Sequence, residues 1–380
     1  MSAPSIPNLL SLRGRAGGRG RGFAGRGRGG SSGPGRGLSH DATIQGTDTD
    51  AAVSRLSAVD LGYLSDPFAR FFVQGPPTRR LPIINRGTYS RTTAIDRIVD
   101  RFLATTAPLP RRQIVSLGAG TDTRCLRLFA SRGLDNLTYH EIDFPDMITR
   151  KRTILESNAY LNTVLQAPEP ASPTSWRAVG ASPETSNTLI LHGLDLRRLS
   201  STPDPDTPPL LLPHLDPNAP TLLISECCLC YLSPSDAASV MRHFTQAISA
   251  PVAIVIYEPV LPNDPFGRTM VSNLAARGIT MPTLEVYPTP ADQETRLREA
   301  GFDEARSRTV NVIWDRWVDE GEKRRIDLLE GGLDEVEEWE LLAGHYIVVW
   351  GWMTTRGREG GGLDLTVEDE RVSSSRDVED

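Results

Sequence analysis

The sequence predicts an α/β fold with a mostly parallel β-sheet. Short apolar runs alternate with segments of helical periodicity from about residue 113 to about residue 300. This alternation requires right-handed crossover connections between parallel strands. The first apolar run, Ile114 to Leu117, leads directly into Gly118 and Gly120, and the second apolar run ends on Asp143. A strand, a glycine turn and an acid after the next strand are typical of a nucleoside site in an open α/β sheet.

The elements follow in order along the chain. Apolar residues at helical spacing predict one or two short helices in Ala51 to Phe72, with a break at Asp66-Pro67, and a longer helix from Thr92 to Leu103. The predicted strands are Gln113 to Leu117, Leu137 to Ile142, Thr188 to Leu191, Thr221 to Ser225, Val252 to Tyr257 and His345 to Trp352. The predicted helices that follow are Thr121 to Ser131, Pro145 to Glu156, Pro234 to Ala247, Phe266 to Arg277 and Gln293 to Ala300.

Other segments depart from this alternation. Two Pro/Ser-rich stretches, Ala167 to Thr188 and Ser200 to Pro220, are predicted to be long surface loops. Thr309 to Val318 and His345 to Met353 are aromatic-rich β candidates on either side of an acidic helical segment, Glu322 to Leu342. We expect the two β candidates to form an antiparallel terminal hairpin beside the parallel strands.

The glycine turn favours S-adenosylmethionine over cofactors that contain phosphate. Glycine lets the backbone turn tightly and lets a ligand approach its N–H groups. Asp143 lies 25 positions after Gly118, where an acid can accept both ribose hydroxyls. The turn lacks a third glycine and a Gly-Lys-Ser/Thr step, and Asp122 puts a negative charge where a pyrophosphate would lie. For the glycines alone, a tight strand-to-helix turn without a ligand is the alternative interpretation.

Polar residues after other strands extend this site, because ligands bind at the carboxyl ends of parallel strands. Asp195 could accept from an adenine amine and Leu196 could offer its backbone N–H, or Asp195 could pair with Arg197 or Arg198 at the surface. Glu226 ends an apolar strand, so its carboxylate must be paired or face a cavity. The ammonium or sulfonium of the cofactor is one partner for Glu226, and a protein arginine is the alternative.

The polar segment Asn85 to Arg91 carries two arginines, Arg86 and Arg91. A guanidinium matches a carboxylate through two parallel hydrogen bonds, and a methionine-derived cofactor brings a carboxylate. Two arginines in a polar segment are usually solvated. This segment therefore indicates a binding site only in combination with the other candidate residues.

Composition limits the folded part to one large domain. The chain has 380 residues and a net charge of −7, but residues 1–40 contain seven arginines and no acid. We predict a disordered Gly/Arg-rich tail over 1–40, a folded domain over 41–355 whose N-terminal part, 41–110, is helical, and a disordered acidic tail over 356–380. The folded domain is therefore acidic, and no basic surface is expected on it.

The cysteines and the apolar runs predict a cytoplasmic protein. Cys227, Cys228 and Cys230 fall together on one apolar strand and Cys125 stands alone, which is neither a disulfide framework nor a zinc pattern. We therefore predict buried thiols in a reducing compartment and no metal site. No apolar run approaches the ~18 residues of a membrane span, and the N-terminus lacks an apolar signal segment.

With these residues assembled, the chain resembles the leucine carboxyl methyltransferases, and in particular a fungal-like member. That family methylates the C-terminal leucine carboxylate of the catalytic subunit of protein phosphatase 2A. The resemblance runs from about Gly62 to Trp350. Its motifs in this chain are Gly62-Tyr63-x-x-Asp66-Pro67, Asn85-Arg86-Gly87 with Arg91, Leu117-Gly118-Ala119-Gly120-x-Asp122-Thr123, Asp143-Phe144-Pro145 with Thr149-Arg150-Lys151, Asp195-Leu196-Arg197, Glu226-Cys227 with Tyr231, Tyr257-Glu258 and Phe266-Gly267.

The resemblance implies a Rossmann-like class I S-adenosylmethionine-dependent methyltransferase fold, with S-adenosylmethionine as cofactor. It implies cofactor contacts for Arg55, Arg91, Gly118, Asp143, Asp195, Leu196 and Glu226. Arg55 stands where the family usually has lysine, which keeps the charge and changes the donor geometry. Arg91 and Tyr231 are the candidates for positioning the acceptor carboxylate. A carboxylate is ionised at neutral pH, since its unperturbed pKa is about 3.5, so no general base is required.

Other functions stay open. A methyltransferase of the same fold could act on a small molecule or, like the related wybutosine enzymes, on a tRNA base, although those enzymes carry a long repeat domain after their last strand. An RNA-binding protein that uses the Gly/Arg tail is the alternative of another class. The tail has one aromatic residue, Phe23, and the body is acidic, so we expect no nucleic-acid partner. We expect a monomer whose protein partner is the phosphatase catalytic subunit.

Overall fold

The structure, a computed structural model, describes residues 40–107, 109–131, 133–199, 212–354 and 363–369. The strands within these ranges are β1 (Arg112–Leu117), β2 (Leu137–Asp143), β3 (Glu169–Ser172), β4 (Ser175–Val179), β5 (Thr188–Gly193), β6 (Thr221–Glu226), β7 (Val252–Pro259), β8 (Glu304–Thr309) and β9 (Tyr346–Trp352). The α-helices are α1 (His40–Asp60), α2 (Pro82–Thr106), α3 (Arg124–Ala130), α4 (Pro145–Ser157), α5 (Pro234–Ala247), α6 (Pro265–Ala275), α7 (Pro282–Val286), α8 (Pro290–Glu299), α9 (Val310–Trp317), α10 (Glu320–Leu329) and α11 (Val336–Gly344).

All described strands belong to one sheet, in the order β3-β4-β5-β2-β1-β6-β7-β9-β8. The five strands from β5 to β7 are parallel, whereas β3 and β4 at one edge and β9 and β8 at the other pair antiparallel. The chain runs outward from β1 to β2 in one direction and from β6 to β7 in the other. The crevice between the carboxyl ends of β1 and β6 is therefore the position where open α/β sheets bind ligands. The predicted Rossmann-like fold class is confirmed.

Successive strand residues supply the two faces of the sheet. Ile114 and Leu222 pack into one apolar core and their neighbours Val115 and Leu223 pack into another on the opposite face. Because both faces are covered, the parallel strands are buried along nearly their whole length. Burial of this kind explains why these strands are continuous apolar runs in the sequence.

Two segments differ from their predictions. The predicted strand Thr309 to Val318 is wrong: β8 ends at Thr309 and α9 follows, because Val310, Ile313, Trp314 and Trp317 recur at helical spacing and are all buried. The hairpin with β9 exists but uses earlier residues. The first predicted loop contains an edge hairpin, β3 and β4, in which Pro170 is tolerated because the strand lies at the edge. Residues 200–211 of the second predicted loop lie outside the described residues.

Helix α2 begins ten residues before its predicted start. Pro82 occupies its first turn, where a missing N–H costs nothing, and the polar segment Asn85 to Arg91 lies inside the helix and is buried. These polar side chains tolerate burial because they have partners: Asn85 bonds Ser57 and Glu330, and Arg86 bonds Asp327. The prediction was wrong at this end because sequence polarity does not reveal long-range partners.

The predicted C-terminal boundary needs a correction, because residues 363–369 pack against the domain. Leu363 and Leu365 are buried, and the Trp350 indole donates to the carbonyl of Leu365 at 2.9 Å. Asp369 accepts from the Trp317 indole at 3.0 Å. This part of the segment predicted to be disordered therefore belongs to the fold, while residues 1–39, 356–362 and 370–380 lie outside the described residues. No helix within the described ranges is long and apolar enough to cross a membrane.

Candidate active site

A cavity of about 340 Å³ lies at the carboxyl ends of β1, β2, β5 and β6. Its volume is that of a small-molecule site. The eight residues expected to contact the cofactor or the acceptor all line it. They are Arg55, Arg91, Gly118, Asp143, Asp195, Leu196, Glu226 and Tyr231.

The glycine turn after β1 has the conformation that only glycine adopts easily. Gly118 has φ +65° and Gly120 has φ +46°. A Cβ on Gly118 would lie 2.5 Å from the Sγ of Cys228, so the turn also needs the absence of a side chain for space. The backbone therefore passes close to the segment that follows β6.

Asp143 is fixed to this turn by its own backbone surroundings. Its carboxylate accepts from the N–H of Gly120 and from the N–H of Phe144, both at 2.7 Å. Burial raises the pKa of Asp143 to about 6, and the two backbone hydrogen bonds lower it only in part. Asp195 and Leu196 follow the neighbouring strand, β5. We call Gly118, Gly120, Asp143, Asp195 and Leu196 the glycine-turn end of the cavity.

Asp195 does have the surface partner considered as its alternative. Arg197 donates its Nη2 to Asp195 at 2.6 Å and also pairs with Asp41 at the start of α1 at 2.8 Å. Burial raises the pKa of Asp195, but the bonds from Arg197 outweigh burial and lower it. The backbone N–H, the Nε and the Nη2 of Arg197 donate to this carboxylate, so one of its four lone pairs stays open to a ligand donor.

Charged side chains build a second part of the site. Arg55, Arg91, Asp122 and Glu226 line the cavity and Arg124 lies buried next to it, and we call these five residues the arginine end. Glu226 accepts from Arg124 at 2.9 Å and lies 3.4 Å from the Nε of Arg91. Arg124 also pairs with Asp122 at 2.5 Å, and Arg55 lies 3.5 Å from Asp122. The alternative for Glu226, an ion pair with a protein arginine, is therefore present.

Asp122 does not place an unopposed negative charge in the turn, which corrects one reason for excluding a pyrophosphate. Burial alone would raise the pKa of Asp122, but Arg124 and Arg55 outweigh it and hold this pKa well below its usual range. Its charge is thus neutralised within the protein. Asp143, which contacts this turn from the end of β2, accepts its hydrogen bonds from backbone N–H groups instead.

Helix α1 covers the glycine turn. Asp48 accepts from the N–H and the hydroxyl of Thr121 at 2.7 and 2.8 Å. Arg55, two turns further along the helix, donates to the carbonyl of Thr121 at 3.1 Å. The sequence predicted Arg55 through the family resemblance but did not predict Asp48, because nothing local marks an acid that bonds a turn 73 residues later.

One arginine and three cysteines differ from what the sequence suggested. Arg86 does not line the cavity, since it bonds Asp327 and lies over the Trp314 ring at 4.5 Å. Cys227, Cys228 and Cys230 do not lie on the strand, because β6 ends at Glu226. Cys227 and Cys228 are only partly buried and line the cavity, while Cys230 is buried behind it.

Tyr231 stands in the wall of the cavity on a short 3-10 turn after β6. Burial raises the pKa of Tyr231 well above its ordinary value, so the phenol stays protonated and can donate a hydrogen bond. Arg91 lies over the ring of Tyr257 at 5.4 Å, which holds its guanidinium beside the cavity.

The donor set fits a zwitterionic nucleoside better than a metal. The buried Nε of Arg91 has no hydrogen-bond partner among the described residues, so its N–H can donate to a ligand oxygen. Arg91 and Glu226 together match a carboxylate and an ammonium, and Asp143 matches vicinal hydroxyls. Within the described ranges, no group of three or more His, Cys, Asp or Glu side chains could hold a metal ion.

Comparison with known proteins agrees with this geometry. A family model for leucine carboxyl methyltransferases matches residues 44–245, and a protein from Aspergillus fumigatus named leucine carboxyl methyltransferase 1 is 49% identical over 401 residues. The chain belongs to the leucine carboxyl methyltransferase family. Proteins of the same name from Emericella nidulans and Schizosaccharomyces pombe are 47% and 38% identical, over 96% and 81% of this chain and 98% and 93% of their own lengths.

Membership of this family makes the chain a carboxyl methyltransferase. The Aspergillus fumigatus alignment covers 97% of this chain and 97% of the relative, so it includes most of the Gly/Arg-rich segment.

Proposed function

We propose that the protein transfers a methyl group from S-adenosylmethionine to the α-carboxylate of the C-terminal leucine of the protein phosphatase 2A catalytic subunit. The observation that carries this proposal is the arrangement of one cavity, with Asp143 at its glycine-turn end and the Arg91–Glu226 pair at its arginine end. The names of the relatives support a leucine carboxylate as acceptor. The phosphatase catalytic subunit as the acceptor protein is what the family resemblance of the sequence motifs implies.

The residues of the cavity would hold the cofactor in an extended form. Asp143 would accept the ribose hydroxyls, while Asp195 and the backbone of Leu196 would contact adenine. Arg91 and Arg55 would bind the cofactor carboxylate, and Glu226 would bind its ammonium. When bound, S-adenosylmethionine supplies an activated methyl group on a sulfonium.

The protein then needs to orient an acceptor that is already a nucleophile. The carboxylate is ionised at neutral pH because its unperturbed pKa is about 3.5. Arg91 has several donors in one plane and Tyr231 keeps its proton, so both can hold one acceptor oxygen and leave the other free to attack. Positioning in line with the S–CH₃ bond, in a cavity closed to water, would supply the rate enhancement.

We also propose that the enzyme acts as a monomer in the cytoplasm and without a nucleic-acid partner. The net charge of −7 supports the last point, since nucleic acid is bound by basic surfaces. Light scattering of the purified full chain should give the mass of a single chain, and a dimer mass would contradict the first point.

One experiment tests the acceptor. The full chain is incubated with S-adenosylmethionine labelled in its methyl group and with the phosphatase catalytic subunit, with and without the terminal leucine. We expect base-labile label, typical of a methyl ester, only when the leucine is present. Label that persists without the leucine would refute leucine carboxyl methylation.

Tyr231→Phe is the matched variant for the acceptor assignment. It removes one hydroxyl and keeps the ring, so we expect lower methyl transfer with unchanged affinity for S-adenosylmethionine in calorimetry. Equal loss of both properties would place Tyr231 in the cofactor site instead. Methylation of a small carboxylic acid in place of the phosphatase would favour the small-molecule alternative.

A further inference from the structure

Arg124 is a fully buried cation next to the cavity that does not line it. Its side chain is 2% exposed, and it lies at the start of α3. Its Nη1 lies 2.5 Å from Asp122 and 2.9 Å from Glu226, and its Nε lies 2.7 Å from Asp96 on α2. One guanidinium thus joins three carboxylates from three separate segments.

These contacts form a chain of alternating charges around the arginine end. The order is Arg55, Asp122, Arg124, Glu226, Arg91. Each of the three inner side chains has a neighbour of opposite charge on both sides, and each of the two terminal arginines has one such neighbour. Both terminal members line the cavity, so the chain links the two arginines expected to meet a ligand carboxylate.

The contacts of Glu226 explain what Arg124 contributes. Oε1 of Glu226 accepts from Arg124, while Oε2 lies 3.4 Å from the Nε of Arg91, a donor without a hydrogen-bond partner among the described residues. A carboxylate held through one oxygen keeps the other in a fixed direction. Without Arg124, Glu226 would be free to close onto Arg91 as a two-bond pair, which is the preferred geometry of such pairs.

We propose that Arg124 is a positioning residue that fixes the carboxylate of Glu226 through one oxygen, so that its other oxygen and the Nε of Arg91 stay available to the amino-acid end of the cofactor. This assignment rests on the proposed function of the cavity as an S-adenosylmethionine site. Arg124 acts through Glu226 and Asp122 and touches neither cofactor nor acceptor.

The charge of Arg124 is permanent in this setting. Burial lowers the pKa of Arg124, but Asp122, Glu226 and Asp96 outweigh burial and raise it well above the ordinary value. A lysine would keep the charge but could not bridge three carboxylates, because it lacks the planar fork. Arg124→Lys therefore tests geometry with little change in charge.

The test compares two ligands. S-adenosylmethionine has the amino-acid end, and 5′-methylthioadenosine has the nucleoside without it. We expect Arg124→Lys to weaken S-adenosylmethionine about tenfold in calorimetry, the scale of one charged hydrogen bond, and to leave 5′-methylthioadenosine unchanged. The assignment would be overturned if parent and variant bound S-adenosylmethionine with equal affinity, or if the variant lost the same factor in affinity for both ligands.

Arg127→Lys is the matched control. Arg127 lies one turn further along α3 and pairs with Asp96 through two bonds, but it does not contact Asp122 or Glu226. We expect both variants to lower the melting temperature and only Arg124→Lys to change the ratio of the two affinities. An identical ratio change in Arg127→Lys would reduce Arg124 to a structural role.

A variant that fails to fold and a parent protein that fails to bind S-adenosylmethionine have different consequences. If Arg124→Lys does not fold, Arg124→Gln, which keeps two N–H donors, carries the same comparison with the same expected result. If the parent protein binds 5′-methylthioadenosine but not S-adenosylmethionine, the proposed cofactor itself is wrong and the assignment fails with it. If the parent binds both ligands and the variant weakens both to the same extent, only the role of Arg124 is overturned.

Discussion

The two ends of the cavity hold their carboxylates in different ways. At the glycine-turn end, Asp143 accepts from the N–H of its next neighbour Phe144 and from Gly120, in the turn after the adjacent strand. At the arginine end, Glu226 is held by Arg124, which is 102 residues away in sequence. One end is therefore built from backbone geometry, and the other from pairs of side chains that only the fold brings together.

This difference has a chemical consequence. Burial raises the pKa of Asp143 to about 6, because the partial charges of the two backbone N–H groups offset burial only in part. The protonation of Asp143 therefore changes near neutral pH. Arginines carry full charge, so Asp122 stays ionised at any ordinary pH. We expect the glycine-turn end to be sensitive to backbone strain and protons, and the arginine end to be sensitive to the removal of single charges.

The largest effect is expected from Gly118→Ala. The substitution forces a left-handed φ on alanine, which costs roughly 1–2 kcal/mol, and overpacks the Sγ of Cys228, which costs roughly 1–3 kcal/mol. The free energy of unfolding should fall by about 2–5 kcal/mol in denaturant titrations. Gly75→Ala is the control, because Gly75 also has a positive φ but has no atom within 4 Å of the added Cβ. Equal losses in the two variants would mean that the approach to Cys228 is unimportant.

The next effect concerns the arginine end. Arg91→Ala removes a charged donor from the cavity while Glu226 keeps its bond to Arg124, so the fold should persist. We expect S-adenosylmethionine to bind about 10- to 100-fold more weakly, since a charged hydrogen bond contributes about 1.5–3 kcal/mol. Glu226→Ala should weaken the cofactor to a similar extent in calorimetry.

A purely structural role of Glu226 predicts a different pattern. Glu226→Ala would then mainly lower the melting temperature, because it leaves two buried arginines without their shared partner. Binding of 5′-methylthioadenosine provides the reference, since it reports the glycine-turn end alone. Weakening of both ligands by Arg91→Ala would show that the two ends are not independent.

A smaller effect concerns pH at the glycine-turn end. The folded pKa of Asp143 is raised from 3.8 to about 6, so its contribution to stability is present at low pH and is lost as the pH rises between these values. Ribose hydroxyls donate to the ionised form, so cofactor affinity should fall about tenfold per pH unit below 6. Asp143→Asn should bind more weakly and lose this pH dependence. An unchanged pH profile in Asp143→Asn would assign the titration to another group.

The same contrast explains which parts of the molecule could be predicted from the sequence. The five parallel strands were predictable because strands covered on both faces are continuous apolar runs. Helix α9 was mistaken for a strand because Val310, Ile313 and Trp314 are also typical strand residues, although their spacing is helical. The edge strand β3 could not be predicted, because its polar residues are stabilised by pairing with β4.

Prediction of the site followed the same division. Gly118 and Asp143 are identified by a local pattern, and the structure places them at one end of one cavity. The choice of Arg124 as the shared partner of Glu226 and Asp122 could not be predicted, because an arginine that bonds one neighbouring and two distant carboxylates looks like any polar residue at a helix start. Asp48 was missed for the same reason, since its partner Thr121 lies in another segment.

The smallest effect is expected from Arg197→Ala, which tests whether the glycine-turn end depends on any side-chain charge pair. Arg197 pairs with Asp195 and Asp41, but its side chain is 40% exposed, so the interaction is screened by solvent. Exposed pairs contribute about 0–1 kcal/mol, and a free lone pair of Asp195 remains available to adenine in either case. The affinity for 5′-methylthioadenosine should therefore change by less than about threefold at physiological salt. A tenfold loss would place Arg197 within the nucleoside site and would mean that both ends of the cavity depend on arginines.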